Sequence, residues 1–259
     1  MNELIDKTTL LEINQHLSQA KRILFITGAG ISAESGLPTY RGVSGLYNNQ
    51  ETEDGIRIET ALSGGMFRES PEITWKYLSQ IEQSCRGKSF NRAHEIIAEM
   101  QDHFQEIWVL TQNIDGFHHH AGSKNIIDIH GNVYELSCTR CSYHTSPKDY
   151  SEITIPPICP QCNHPVRPDV VLFDEMLPQD KLQQLEQELW NGFDLVFTIG
   201  TTSIFPYIAQ PVINAAQQGI PTIEINPDAT SVSPYVQYKI RSGACVALEE
   251  IWSQFQQQS

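Results

Sequence analysis

Ile107-Trp108-Val109-Leu110-Thr111-Gln112-Asn113-Ile114-Asp115 is an apolar run that turns polar without a break. Four apolar residues in succession read as a buried strand of a parallel sheet. The residues that follow put amide and acid side chains where that strand ends. In open α/β sheets, ligands bind outside the carboxyl ends of the strands. A second short strand, Ile126-Ile127-Asp128-Ile129, delivers His130 to what would be the same edge, just ahead of Gly131. Amides, an acid and an imidazole converging on one crevice constitute a chemical proposal that the rest of the chain can support or oppose.

Upstream, Arg22-Ile23-Leu24-Phe25-Ile26-Thr27 is another short strand, and it runs into Gly28-Ala29-Gly30-Ile31-Ser32-Ala33-Glu34-Ser35-Gly36. Strand, glycine-rich turn and helix is the order that a dinucleotide pyrophosphate uses, with helix N-terminal amides facing the anion. The third glycine falls at Gly36, and no acidic residue sits at a strand end about 20 residues on, so the oxidoreductase fingerprint is not met. On its own the stretch reads equally as a phosphate site or as a tight turn. Downstream, Val170-Val171-Leu172-Phe173 and Phe193-Asp194-Leu195-Val196-Phe197-Thr198-Ile199 read as strands, the latter ending at Gly200-Thr201-Thr202-Ser203. Pro221-Thr222-Ile223-Glu224-Ile225 is one more, ending at Asn226.

Helical spacing separates these strands. Thr9-Leu10-Leu11-Glu12 resembles a capping box opening a first helix. A helix after Ser70 carries Trp75, Leu78 and Ile81 on one face, and another spans about Asn91 to Phe104. Leu182, Leu185 and Leu189 mark a third, Pro206 to Gln218 a fourth, and Leu248, Ile251, Trp252 and Phe255 a last one. Strands alternating with helices predict an α/β fold, a parallel sheet with helices on both faces. A polar stretch from Gly42 to about Gly65 reads as a long loop of the kind that forms functional lids.

From Tyr134 to Pro168 the apolar periodicity stops. Cys138-x-x-Cys141 and Cys159-x-x-Cys162 have the spacing of a four-cysteine zinc site. Four thiolates complete a tetrahedron, so such a zinc folds a module and leaves no position for catalysis. The expected organisation is a parallel-sheet domain from residues 1–41, 86–133 and 169–259. A smaller domain would combine a helical part, 42–85, with the zinc module, 134–168.

The chain has 259 residues, 40% hydrophobic and 19% charged, with 31 acidic against 17 basic residues and a formal charge of -14. That balance is a poor footprint for nucleic acid and suits a cationic peptide better. No apolar run is long enough to span a bilayer, and the N-terminus lacks a secretory signal. Membrane and direct nucleic-acid partners are therefore not expected, and a cytoplasmic location is. His118-His119-His120 diverge in direction and read as a turn or packing element. Cys85 and Cys245 read as buried apolar cysteines.

Together these motifs resemble the sirtuins, NAD-dependent protein-lysine deacylases, from about Lys21 to Leu248. The resemblance rests on Gly28–Ser32, Ser35–Arg41, Thr111–Asp115, Ala121-Gly122, His130-Gly131, the two CxxC pairs, Val170–Phe173, Gly200–Thr202 and Asn226. It implies a Rossmann-like NAD-binding domain beside a smaller zinc-binding and helical domain, with NAD as co-substrate, one structural zinc, and acyl-lysine peptides or proteins as partners. Gly28, Ala29, Gly30 and Ser32 would then hold the NAD phosphates and ribose, with Tyr40 and Arg41 on a loop that closes over it. Gln112, Asn113, Ile114 and Asp115 would orient the nicotinamide ribose and carboxamide, and His130 would be the general base. Gly200, Thr201, Thr202, Asn226 and Ala244 would hold the adenosine half. The backbone near Val171 and Phe173 would pair with an extended peptide by strand addition. The acyl group would pass to ADP-ribose, with release of nicotinamide. The alternative is a mono-ADP-ribosyltransferase or a catalytically poor NAD-binding protein.

Departures from the family pattern sharpen the expectation. Tyr40 stands where phenylalanine is usual, Asp174 replaces the glycine between Phe173 and Glu175, and the segment from Gly200 to Pro206 is one residue short. Members that remove succinyl groups carry tyrosine three, and arginine six, residues after the matching tryptophan. Counting from Trp75 gives Leu78 and Ile81. A carboxylate-tipped chain would be buried there without a cation, which is costly. Apolar acyl groups are therefore expected, acetyl first, with longer chains admitted.

Overall fold

The computed structural model describes residues 5–39 and 52–258. Tyr40, Arg41 and much of the expected lid loop thus lie outside the described residues. In chain order the strands are β1 (Arg22–Thr27), β2 (Glu106–Thr111), β3 (Asn125–Asp128), β4 (Gly131–Cys138) and β5 (His144–Thr145). They continue as β6 (Val166–Val170), β7 (Leu195–Ile199), β8 (Thr222–Ile225) and β9 (Tyr238–Ile240). The helices are α1 (Lys7–Gln19), α2 (Ile58–Ala61), α3 (Gly64–Glu69), α4 (Pro71–Cys85) and α5 (Arg92–Glu99). After them come α6 (Phe117–His120), α7 (Gln179–Asn191), α8 (Pro206–Gln217) and α9 (Ala244–Gln258).

Six strands form one parallel sheet in the order β3-β2-β1-β7-β8-β9. The order reverses between β1 and β7, which is where a doubly wound sheet opens a crevice for its ligand. Side chains alternate across the sheet, so β1 feeds two cores. Ile23 and Phe25 pack with Leu17, Ile96 and Trp252, whereas Leu24 and Ile26 pack with Leu185, Ile208 and Val212. Helices α1, α5 and α9 therefore cover one face, and α7 and α8 the other. Phe25 and Phe197 stack across β1 and β7 with centroids 4.8 Å apart.

The second sheet is antiparallel, in the order β5-β4-β6. Helix α4 packs on it with Trp75, Leu78 and Ile81, against Val133, Leu136 and Val166. Trp75 buries fully and donates its indole N–H to the Val166 carbonyl at 3.0 Å. Burying that ring without the bond would strand a polar N–H in a dry core. The small sheet reaches past both expected boundaries, since β4 starts at Gly131 and β6 ends at Val170.

Several local expectations are corrected. α1 starts before Thr9, because the Asp6 carboxylate caps it by accepting from the Thr9 amide at 3.0 Å. No α-helix follows the glycine turn. Two short 3-10 turns, Ala29–Ile31 and Ala33–Ser35, take its place and end at Gly36 in a left-handed conformation. The apolar run Val170–Phe173 is not a strand of the parallel sheet. Only Val170 is in β6, whose Arg167, Pro168 and Asp169 pair with β4 of the small sheet. The helix expected to reach Phe104 leaves α-geometry at Glu99 and ends in a 3-10 turn, Met100–Asp102. No helix among the described residues is long and apolar enough to cross a membrane.

Candidate active site

A cavity of about 770 Å³ opens along the carboxyl ends of β1, β2, β7 and β8, where the sheet meets the smaller module. That size suits a small-molecule ligand. Of the residues singled out for the dinucleotide, Gly28, Ala29, Gly30, Gln112, Asn113 and Ile114 line it from one side. Gly200, Thr201, Thr202, Asn226 and Ala244 line it from the other. His130, Val171, Phe173, Leu78 and Ile81 share the same wall. Ser32 and Asp115 face an adjoining recess of about 20 Å³, room for little more than one water.

The strand tips are tied together across the break in strand order. The Gly28 amide donates to the Ile199 carbonyl at 3.0 Å, and the Gly30 amide to the Gly200 carbonyl at 2.8 Å. These two amides are therefore committed to the sheet and are not offered to an anion. Gln112 reaches over β1, its Nε2 donating to Thr201 Oγ1 at 2.7 Å. Asn226 Nδ2 donates to the Thr201 carbonyl at 3.1 Å.

Behind the cavity wall runs a buried polar chain. Asn113 Nδ2 donates to the Gly28 carbonyl at 3.2 Å and to Ser32 Oγ at 3.3 Å. Ser32 Oγ in turn donates to Asp115 Oδ2 at 2.8 Å, and the Phe117 amide donates to Asp115 Oδ1 at 3.0 Å. Burial pushes the Asp115 carboxyl up, opposed by those two hydrogen bonds. A buried network with all members paired is rigid, so it fixes the rotamers of Asn113 and Asp115.

His130 stands at the end of this arrangement. Its Nδ1 lies 3.0 Å from the Gln112 carbonyl, and its Nε2 lies 2.7 Å from the Tyr207 hydroxyl. Burial pushes the imidazole below the ordinary histidine value, and the bond to the Gln112 carbonyl opposes that only in part. The His130 carbonyl accepts from the Val171 amide at 2.9 Å. The expected edge for an added peptide strand is thus partly engaged already. Phe173 donates to the Leu62 carbonyl at 2.9 Å and accepts from the Gly64 amide at 3.0 Å. Asp174, at φ 68°, accepts from the Gly64 and Gly65 amides and so caps α3. Glu175 is forked by Arg167 at 2.6 and 2.9 Å and accepts from the Leu172 amide, which ties this loop to the small module.

Cys138, Cys141, Cys159 and Cys162 bring four Sγ atoms within 4.8 Å of one another. The closest pairs are Cys138–Cys162 at 3.3 Å and Cys141–Cys159 at 3.5 Å. Tetrahedral zinc, with bonds of about 2.3 Å, spaces its sulfurs by about 3.8 Å, so the cluster fits the ion. Amides of Arg140 and Gln161 point at Cys138 and Cys159 Sγ, at 3.3 and 3.4 Å.

Phe205 and Tyr207 also line the cavity and were not singled out from the sequence. The available signal was Phe205-Pro206-Tyr207, two aromatic residues astride a helix start, just beyond a strand tip. His118 lies in α6, buried, with its Nε2 3.0 Å from Thr27 Oγ1, a packing role as expected. Cys85 is buried and Cys245 half-buried.

A dinucleotide-type parallel sheet, a cavity at its switch point and an inserted four-cysteine module define an α/β protein of one particular class, and comparison with known proteins gives the class its family. The Sir2 family matches residues 28–205. NAD-dependent protein deacylase 2 of Pseudomonas aeruginosa is 46% identical over 244 residues, covering 93% of this chain and 95% of that protein. The protein of the same name from Pseudomonas syringae pv. tomato is 47% identical over 247 residues, covering 94% and 99%. A solved Sir2 homologue in complex with NAD aligns with a TM-score of 0.84 at 32% identity, covering 96% of this chain and 94% of that one. The chain belongs to the Sir2 family.

Proposed function

We propose that this chain is an NAD-dependent protein-lysine deacylase. The observation that carries the reading is the placement of His130. Its imidazole is held by the Gln112 carbonyl at the tip of β2, on the wall of the cavity that the other strand tips share. Relatives named NAD-dependent protein deacylase, similar over nearly their whole length, support it, as does the likeness to a Sir2 homologue solved with NAD.

Bound NAD would supply a ribose carbon made electrophilic by its nicotinamide leaving group. The chain's own residues do the rest. Ala29, Thr201, Thr202, Asn226 and Ala244 would seat the adenosine and phosphate half, with Gly28 and Gly30 as close-packed spacers between strand tips. Gln112, Asn113 and Asp115 would orient the nicotinamide ribose, their rotamers set by the Ser32 network. His130 would take a proton from a ribose hydroxyl at Nε2, the nitrogen left bare when the Gln112 carbonyl holds the Nδ1 proton. The four cysteines would hold a structural zinc and keep the small sheet in place. Tyr40 and Arg41 belong to the same proposal as residues of the loop over NAD.

The acyl chain would lie against Leu78 and Ile81, both buried and both on the cavity wall. Among the described residues of that wall there is no lysine or arginine, while Glu34, Asp174, Glu175 and Asp228 are present. An acidic acyl tip would meet no cation among the described residues of that wall. A lysine-bearing protein segment meets favourable charge, which nucleic acid or an anionic membrane surface would not.

The test is an acyl panel of acetyl, myristoyl and succinyl peptides with NAD. Nicotinamide is expected only when NAD and an acyl-lysine peptide are both present, and not from His130→Ala. Silence across the panel would sink the reading, and transfer of label from NAD to protein without deacylation would favour an ADP-ribosyltransferase. Preference for succinyl would refute the role given to Leu78 and Ile81.

A further inference from the structure

Both ring nitrogens of His130 are committed, on opposite sides of the ring. Nδ1 faces the Gln112 carbonyl at 3.0 Å, and a carbonyl can only accept, so the ring proton is on Nδ1. Nε2 is then the basic nitrogen, with a single lone pair in the ring plane. That lone pair is already occupied, because the Tyr207 hydroxyl stands 2.7 Å away and must be the donor to a bare nitrogen. Burial pushes the Tyr207 phenol up to about 12, so it keeps its proton throughout the neutral range.

Tyr207 is also held in place. Its ring stacks on Phe205 with centroids 5.4 Å apart and planes at 13°. Both rings meet the imidazole close to perpendicular, at 81° and 88°. Pro206 lies between them and opens α8, fixing the backbone from which Tyr207 projects. All three aromatic residues line the same cavity.

A base must come within about 2.6–3.2 Å of the proton it takes. One lone pair cannot accept from the tyrosine and from a substrate hydroxyl together. We propose that Tyr207 is a positioning residue whose hydroxyl holds Nε2 of His130 and gives way there to the substrate hydroxyl. The inference rests on the deacylase reading above. Both partners are O–H donors to the same nitrogen, so loading exchanges one hydrogen bond for another. The base is thereby stored in its reactive tautomer, without a buried nitrogen left unpaired. The exchange has a consequence for binding, since the substrate hydroxyl competes with a group of the protein.

Tyr207→Phe keeps the ring and its stack and deletes only the competitor. With saturating acyl-lysine peptide, KM for NAD is expected to fall about fivefold, the factor equivalent to one ordinary hydrogen bond, with kcat within about twofold. Histidine ¹⁵N NMR provides a readout independent of turnover. In the free wild type, Nε2 of His130 should show the shift of a bare nitrogen that accepts a hydrogen bond. Tyr207→Phe should move that signal toward a free imine nitrogen. A tenfold or greater drop in kcat at unchanged KM would overturn the proposal, because the hydroxyl would then take part in the proton transfer itself. Unchanged kcat and KM would also overturn it, reducing Tyr207 to packing, as would a free-imine signal in the wild type. If the wild type releases no nicotinamide from any acyl peptide, the deacylase reading fails instead, and the NMR result still stands or falls by itself.

Discussion

Gly30 and Gly200 lie against each other across the break in strand order. The Gly30 amide donates to the Gly200 carbonyl at 2.8 Å, and a Cβ built on Gly30 would stand 2.5 Å from the Gly200 Cα. Gly200 has φ 61°, and its own Cβ would be 2.4 Å from the Ile31 nitrogen. The obstacle is backbone in both cases, so no side chain can swing aside. Gly30→Ala and Gly200→Ala are each expected to cost roughly 2–3 kcal/mol in urea unfolding through overpacking at the strand tips. NAD affinity should fall with them. A stability within about 0.5 kcal/mol of wild type would show that the tips can part freely.

The pH dependence of turnover follows from His130. Burial lowers its imidazole, and the Gln112 carbonyl offsets that only in part. The neutral base therefore persists on acidification past the ordinary value near 6.5. The acid limb of kcat/KM is expected below pH 6.5, and His130→Asn should lose at least about 100-fold in kcat. A limb above pH 6.5 would contradict the assignment.

Acid stability follows from two other histidines. His94 and His118 are buried with ring centroids 4.8 Å apart. Among the described residues, nothing hydrogen-bonds His94 Nε2 or His118 Nδ1. Burial pushes His94 down to about 4 and His118 well below its usual range, the latter with a smaller contribution from His94. Unfolded, each titrates near 6.5. Between about pH 6.5 and 4 the unfolded chain takes up protons that the folded chain refuses, so stability complete above that window is lost on descending through it. Each site contributes up to about 1.4 kcal/mol per pH unit. Tm should drop from pH 6.5 to 5.5, and His94→Gln should flatten that slope. Equal slopes in the two proteins would argue against it.

The cysteine cluster predicts one zinc per chain by elemental analysis. With all four ligands drawn from the protein, the ion has no position for substrate. Chelation should lower Tm and abolish turnover together, as the β4–β6 pairing loosens. Cobalt in place of zinc should restore activity close to the zinc level. A large change in kcat on exchange would place the metal in the chemistry.

Much of this was legible in the sequence because the signals were local. β1 and β2 each hold four consecutive apolar residues and β7 holds three, β8 sets Ile223 and Ile225 about Glu224, and the polar tips of all four follow in sequence. The two CxxC pairs declare their partners by spacing alone. β9, by contrast, is Tyr238-Lys239-Ile240, three residues at a sheet edge with the lysine exposed, too short for a periodicity to emerge. β6 was displaced because Val170–Phe173 is the more apolar run, yet the pairing with β4 runs from Val166 to Val170, through Arg167, Pro168 and Asp169. The meeting of His130 with Tyr207 spans 77 residues of chain and depends on where α8 begins, which no window along the sequence reports.

The small sheet is attached in an unusual place. β4 leaves immediately after His130, and the chain returns from β6 at Val171, whose amide bonds the His130 carbonyl. Gly131 faces Val170 in register, with the Asp169 carbonyl so close that no side chain fits. The two strands that lead into the cysteine module are thus pinned together at the backbone of His130. The backbone that carries the base is therefore the same backbone that closes the root of the module, so the seat of His130 and the seat of the cysteine strands are set by one pairing.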